Sequence, residues 1–231
     1  MLAPGLVAMA ACSFDPSAGG GAGLPDAASS AGASADAASK DVVGADGGTP
    51  VAQLVTPVGS ATTVGELGGD GGSPFSAECA DGRVVTGLDA EDNDFGLCRL
   101  RAACSHLVLR DGGVEVVDPA VTQMFGNESS YYDIDPVSCP AGSVLVTFDG
   151  SESDGLVQHL RLWCAPVLWD GSDLSLGTAV EVPGDLGSPS GGGSGDGACP
   201  AGQLAAGIAG RSGTILDRFE LRCYQVTAAP T

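Results

Sequence analysis

The chain is nearly without lysine: Lys40 is the only one among 231 residues, and nine Lys and Arg face 29 Asp and Glu, for a formal net charge of −20. Binding to a phosphate backbone draws on clustered basic side chains that release counterions, so a nucleic-acid role is excluded. Electrostatic attachment to an anionic bilayer is excluded for the same reason. Aromatic residues are scarce at 5%, and no apolar run approaches the roughly 18 residues of a membrane span. The two histidines, His106 and His159, stand in no zinc-type spacing. Gly187-Ser188-Pro189-Ser190-Gly191 puts proline where a nucleophile elbow needs serine. Phosphate-loop and dinucleotide fingerprints are missing too. What abounds is glycine, 37 residues, which favours many turns and a β-rich chain over a helical bundle.

Residues 1–12 read as an export signal, a short apolar stretch ending in small residues. Met9-Ala10-Ala11-Cys12 resembles a bacterial lipobox, in which the cysteine is lipidated and becomes the mature N-terminus. Residues 13–52 are mostly Ala, Gly, Ser and Asp, with Phe14 as their one aromatic. Such a segment cannot bury enough apolar surface to offset its ordering entropy, and it is expected to be a disordered tether, with a span of about 35–40 Å by the coil relation. Together these features imply an exported lipoprotein anchored through Cys12 to the bacterial cell envelope or outer surface.

Seven further cysteines follow. With Cys98 set aside, they form a ladder. Cys79, Cys139 and Cys199 are spaced by 60, and Cys104, Cys164 and Cys223 by 60 and 59. The chain therefore holds three repeats, assigned to 53–110, 111–170 and 171–228 of one domain spanning 53–228. Each first cysteine opens a turn: Cys79-Ala80-Asp81-Gly82, Cys139-Pro140-Ala141-Gly142, Cys199-Pro200-Ala201-Gly202. A β-type run and a polar loop follow, and then a second strand that alternates. Leu100, Ala102 and Cys104, with Leu160, Leu162, Cys164 and Phe219, Leu221, Cys223, are expected to face the core. Arg99, Arg101, His159, Arg161, Trp163, Arg218, Glu220 and Arg222 are expected to face solvent. The repeat makes Cys79–Cys104, Cys139–Cys164 and Cys199–Cys223 the economical pairing, although other connectivities are formally possible. Disulfides need an oxidising compartment, in agreement with export.

Cys98 is the odd member, read as a buried free thiol on the same strand face as Cys104, too far along an extended strand to bond to it. Earlier strands are expected at Gln53–Thr56, Val114–Val117 and Thr178–Val182, and short ones after the second cysteines at His106–Leu109 and Ala165–Leu168. The count is about four strands per repeat and twelve in all. The Ser/Gly run 187–197 reads as a flexible loop.

Three units of this kind suit an all-β, three-repeat β-prism with pseudo-threefold symmetry and about 60 residues per repeat. The third repeat, with Cys199-Pro200-Ala201-Gly202 leading to Phe219-Glu220-Leu221-Arg222-Cys223, and Arg161-Leu162-Trp163-Cys164 in the second, resemble the repeat of the vitelline membrane outer layer protein I family. Gly68-Gly69-Asp70-Gly71-Gly72-Ser73-Pro74-Phe75 stands where that family has a Gly-rich, Trp-containing segment. The Trp itself is absent from all three repeats, with Phe75 and Tyr131-Tyr132 in its stead. The resemblance implies association with glycan or extracellular matrix. Jacalin-type lectins share the architecture and bind sugars, an analogy of fold that does not by itself fix function.

Candidate ligand residues are few. Trp163 offers an outward aromatic face for stacking on a sugar, with Tyr131 and Tyr132 as further candidates. Asp89, Glu91, Asp92 and Asp94 crowd oxygen ligands between the strands of the first hairpin, a composition that Ca²⁺ uses; no other cofactor is implied. Arg99, Arg101, Arg161 and Arg218 are expected to pair with neighbouring acids. No residues present themselves as a catalytic set. The first expectation is a tethered binding module for glycan or envelope material, without enzymatic activity. The alternatives are a structural or protein-interaction envelope lipoprotein and, third, a carbohydrate-active enzyme.

Overall fold

The structure is a computed structural model that describes residues 52–93, 95–110, 113–127, 134–189 and 191–230. Cys12, the tether up to residue 51, Asp94, Tyr131 and Tyr132 lie outside the described residues. Within them the chain is almost entirely β-strand, with one three-residue 3₁₀ turn at Ala80–Gly82.

Three antiparallel sheets share one plan. Each is centred on a cysteine-bearing hairpin: β3 (Val84–Asn93) with β4 (Gly96–Arg110) in sheet I, β8 (Ser143–Ser153) with β9 (Leu156–Trp169) in sheet II, and β14 (Gln203–Ser212) with β15 (Leu216–Pro230) in sheet III. A fourth strand lies along the second strand of each hairpin. In sheet III it is β1 (Gln53–Gly68). In sheet I it is broken into β5 (Gly113–Val121) and β6 (Phe125–Gly126), and in sheet II into β10 (Leu174–Leu176), β11 (Val180–Glu181) and β12 (Leu186–Gly187). β1 also pairs with β4 at its first three residues, which joins sheets III and I. The expected short strands after Cys104 and Cys164 are not separate elements. β4 and β9 run straight through their cysteines, because the apolar alternation continues beyond them to Leu109 and Val167.

The strand leading into each first cysteine joins the neighbouring repeat's sheet. β7 (Asp135–Ser138) pairs with β3, β13 (Gly193–Ala198) with β8, and β2 (Ser73–Glu78) with β14, so the exchange closes in a ring. The amides of Cys139, Cys199 and Cys79 donate to the carbonyls of Thr86, Val146 and Ala206, each at 2.8 Å. Those three acceptors are the extra residues of equivalent β-bulges, where the register shifts between Val85 and Gly87, Leu145 and Thr147, and Ala205 and Gly207. Disulfides Cys79–Cys104, Cys139–Cys164 and Cys199–Cys223 are the pairs singled out by the ladder. Each one therefore ties the end of a strand in one sheet to the middle of a strand in the next. A bridge closing about 25 residues contributes roughly 3–4 kcal/mol in the loop-entropy account.

β13 occupies much of the stretch read as a flexible Ser/Gly loop. It is extended because its glycines sit on the inward side: a Cβ at Gly197 would stand 2.7 Å from the Gly65 Cα and 2.5 Å from the Phe148 ring. β1 thus crosses β13 at a distance only glycine allows, and Ser194 and Asp196 are left on the exposed side.

The inner faces build two apolar clusters. The larger holds Leu88, Leu100, Leu145, Phe148, Leu160, Leu162, Phe219 and Leu221, with the three disulfides against it. The smaller lies at the opposite ends of the hairpins from their tips. It repeats in threes, with Val84, Val144 and Leu204, and Leu107, Val167 and Val226.

A second threefold bulge near the tips corrects one sequence reading. Register shifts between Glu91 and Asp92, Ser151 and Glu152, and Arg211 and Ser212 leave Cys98, Gln158 and Asp217 as extra residues. The bulge resets the alternation, so Leu97, not Cys98, joins the central cluster with Leu100 and Cys104. Cys98 is nevertheless fully buried and outside the three bridges. The fourth strands cross these bulges on glycines: a Cβ on Gly68, Gly126 or Gly187 would come within 2.1–2.2 Å of the carbonyl oxygens of Asp217, Cys98 and Gln158.

A polar cavity on the outer face of sheet II

The outward side chains of sheet II form a grid fixed by strand register. One row runs Asp196 on β13, Asp149 on β8 and Arg161 on β9; the next runs Ser194, Ser151, His159 and Gly187 on β12. The serines are short and leave space above them. Asp185 and Pro189, at either end of the segment around β12, complete the rim of a pocket of about 610 Å³. This volume lies within the usual ligand-site range of about 300–1,000 Å³.

Charge within the cavity is unevenly matched. Arg161 donates from Nε to Asp149 Oδ1 at 2.8 Å and from Nη2 to Oδ2 at 2.6 Å, a bidentate pair. That hydrogen bond and charge raise the Arg161 pKa, and burial opposes the rise only in part. Asp196, directly across the strand pair from Asp149, has no ion-pair partner among the described residues, and like charges so placed repel. His159 is 5% exposed, and its Nε2 is buried without a hydrogen-bond partner, with Asp185 Oδ1 at 3.4 Å. The alternation of β9 placed His159 on the solvent face. It is on that face, but buried, with Gly187 of the fourth strand paired against it. Ser151, His159 and Asp185 share the pocket.

Trp163 is half-buried on the same face, one row beyond the cavity. Its ring lies 5.5 Å from the Arg161 guanidinium carbon, and Glu181 is its partner across β11. The acids proposed for calcium lie elsewhere and otherwise. Asp89, Glu91 and Asp92 belong to β3, not to a loop. Asp89 accepts from Arg101 Nε at 2.8 Å, and the fully buried Glu91 is ion-paired with Arg99. Cross-strand arginines have thus taken the oxygens that a cation would use. Among the described residues no group of three or more His, Cys, Asp or Glu is placed to hold a metal ion. Arg218 binds Glu66 and Asp70. Sequence reasoning missed Asp149, Asp185, Asp196, Ser151 and Ser194 as a group, because no motif joins them; only the 60-residue register that sets Asp149 opposite Arg161 could have pointed there.

No protein-family model matches the chain, and no curated protein does. Among solved structures, the fold is similar to Calsepa lectin crystallised with a biantennary N-glycan, with TM-score 0.51, 16% identity, and coverage of 73% of this chain and 99% of that one. It is equally similar to Calystegia sepium agglutinin, with TM-score 0.50, 16% identity, and coverage of 73% and 99%. At such identity the likeness is one of architecture: the domain is a β-prism.

Proposed function

We propose that this protein is a glycan-binding module without enzymatic activity, held at the bacterial envelope through a lipidated Cys12 and the Ala/Gly-rich segment that follows. The observation that carries the reading is the cavity on sheet II. It brings carboxylates, serine hydroxyls and an imidazole together on one concave face, and carboxylates accept from vicinal hydroxyls while hydroxyls both donate and accept. Trp163 stands beside it as a surface on which a sugar ring could extend. The lectin architecture and the Cys-Pro-x-Gly and Arg-Leu-x-Cys resemblance to the vitelline membrane outer layer family lend support. The three disulfides agree with an oxidising, exported setting.

The test is a glycan array with the oxidised full chain, run with calcium and with chelator. Binding to a defined sugar class, weakened at least about tenfold, or about 1.4 kcal/mol, by Asp149→Ala, is the expected result. Loss on Trp163→Ala with Asp149→Ala silent would move the site to the tryptophan. A blank array from folded, three-disulfide protein would overturn the reading and leave an envelope scaffold.

A further inference from the structure

We infer that the cavity on sheet II selects an amine-bearing sugar, such as a 2-amino-2-deoxyhexose, whose ammonium is held by the carboxylates of Asp149, Asp185 and Asp196. The inference rests on the glycan reading above and narrows it.

The three carboxylates line the cavity together with a single guanidinium, that of Arg161, which is already engaged by Asp149. Among the described residues no second arginine lines the cavity. Lys40, the one lysine, lies outside the described residues. The remaining arginines are committed elsewhere: Arg83 to Asp81 and Asp118, Arg99 to Glu91, Arg101 to Asp89, Arg110 to Glu115, Arg211 to the carbonyls of Gly71 and Gly72, Arg218 to Glu66 and Asp70, and Arg222 to Glu78. Asp196 is exposed on β13 with no partner across the sheet but another aspartate. Asp185 is half-exposed and has the imidazole of His159 as its neighbour. An acid ligand would meet this field with repulsion, and a neutral one would leave Asp196 uncompensated. An ammonium forms charge-assisted hydrogen bonds with them.

A second observation, on the one imidazole of the cavity, points to a polar ligand. The His159 side chain is 7% exposed, lines the cavity, and keeps Nε2 without a hydrogen bond. A buried polar atom left unpaired is costly. Asp185 Oδ1, 3.4 Å away, belongs to a side chain that is 51% exposed. A sugar hydroxyl beside the amine would satisfy Nε2. The ligand that fits both observations therefore carries an ammonium next to a hydroxyl, as an amino sugar does.

The experiment titrates the full oxidised chain, in mildly acidic buffer at low salt, with three trisaccharides: glucosamine trimer, its N-acetylated counterpart and mannotriose. The glucosamine trimer is expected to bind at least about tenfold more tightly than the acetylated one. The preference should weaken with added salt and collapse toward unity in Asp196→Asn, whose exposed position leaves folding intact, and in Asp185→Asn. Equal or tighter binding of the acetylated trimer or mannotriose, or a preference that persists in both variants, would overturn the amine inference while the glycan reading stands. No binding of any of the three, together with a blank array, would remove both.

Discussion

In the register shared by sheets I and II, Pro136, Asp89 and Arg101 on one hold the places of Asp196, Asp149 and Arg161 on the other. In the next row, Glu91 and Arg99 stand where sheet II has Ser151 and His159. The backbones are alike to the bulges, but the outer surfaces differ. On sheet I every acid of the grid meets an arginine and the long side chains fill the face. On sheet II two serines open a hollow, and one aspartate of the row has no counterion. The same scaffold thus supports a closed, self-neutralised face and an open, under-neutralised one, and the difference rests on four or five side chains. In sheet III the corresponding rows read Ser76, Ala209, Glu220 and Pro74, Arg211, Arg218, a third solution that is basic in one row.

The largest effect that would sharpen this contrast is on the closed face. Arg99→Ala removes the guanidinium that is ion-paired with the fully buried Glu91 and is expected to cost about 3–5 kcal/mol in guanidinium denaturation with the disulfides intact. A loss under about 1 kcal/mol would mean that the pair contributes no more than a surface contact. Next comes a graft of sheet I chemistry onto sheet II. Ser151→Glu combined with His159→Arg should fill the hollow and weaken sugar binding by more than about tenfold, or about 1.4 kcal/mol, with the β-sheet circular dichroism unchanged. Retained affinity would show that the serines do not shape the site. Arg161→Ala comes third: with Arg161 42% and Asp149 31% exposed, solvent screens the pair, and its stability cost is expected to be far less than at Arg99. The smallest effect concerns sheet III. Burial raises the Asp217 pKa against the pull of the Gly213 amide and Arg211. The native state then holds that proton more tightly than the unfolded chain, so stability falls as pH climbs from the ordinary aspartate range toward the raised value and stays lower above it. Asp217→Asn should flatten that part of the Tm–pH profile. An unchanged profile would assign the slope to other acids.

The parts legible in the sequence are those written in periodicity. The cysteine ladder carried the three repeats, and the Cys-x-x-Gly turns recur with Gly82, Gly142 and Gly202 at φ 71–76°. The inward alternation of Leu160, Leu162 and Cys164 agrees with their burial. What could not be read was decided by tertiary contact. Gly193–Ala198 has no apolar pattern, and it is a strand through its ladder with β8, under the close passage of β1. The bulge at Cys98 shifts the alternation by one residue, which misplaced Cys98, while His159 keeps its outer face but is covered there by the strand that carries Gly187. Asp89 and Glu91 resemble loop ligands until the opposing strand brings Arg101 and Arg99 against them. The cavity is made by what is small or missing at Ser151 and Ser194, and absence of bulk leaves no motif.

The ring of exchanged strands has a consequence for the order of the repeats along the chain. Gln53 pairs with Pro230, so the domain starts and finishes side by side. β2, which precedes the first cysteine, completes the sheet of the last repeat as β7 and β13 complete those before them. Apart from the three rungs that join β1 to β4, the pairing among the described residues does not mark one repeat as first. A circular permutant, with its old ends spliced and new ones opened between Arg110 and Gly113, would keep all three staples and all but the Arg110–Gly113 rung of the pairing. An isolated repeat would lack both the strand it borrows and the partner for its own first cysteine strand. Tandem duplication in such a design yields a working domain only when the count reaches closure, which makes three the unit of inheritance.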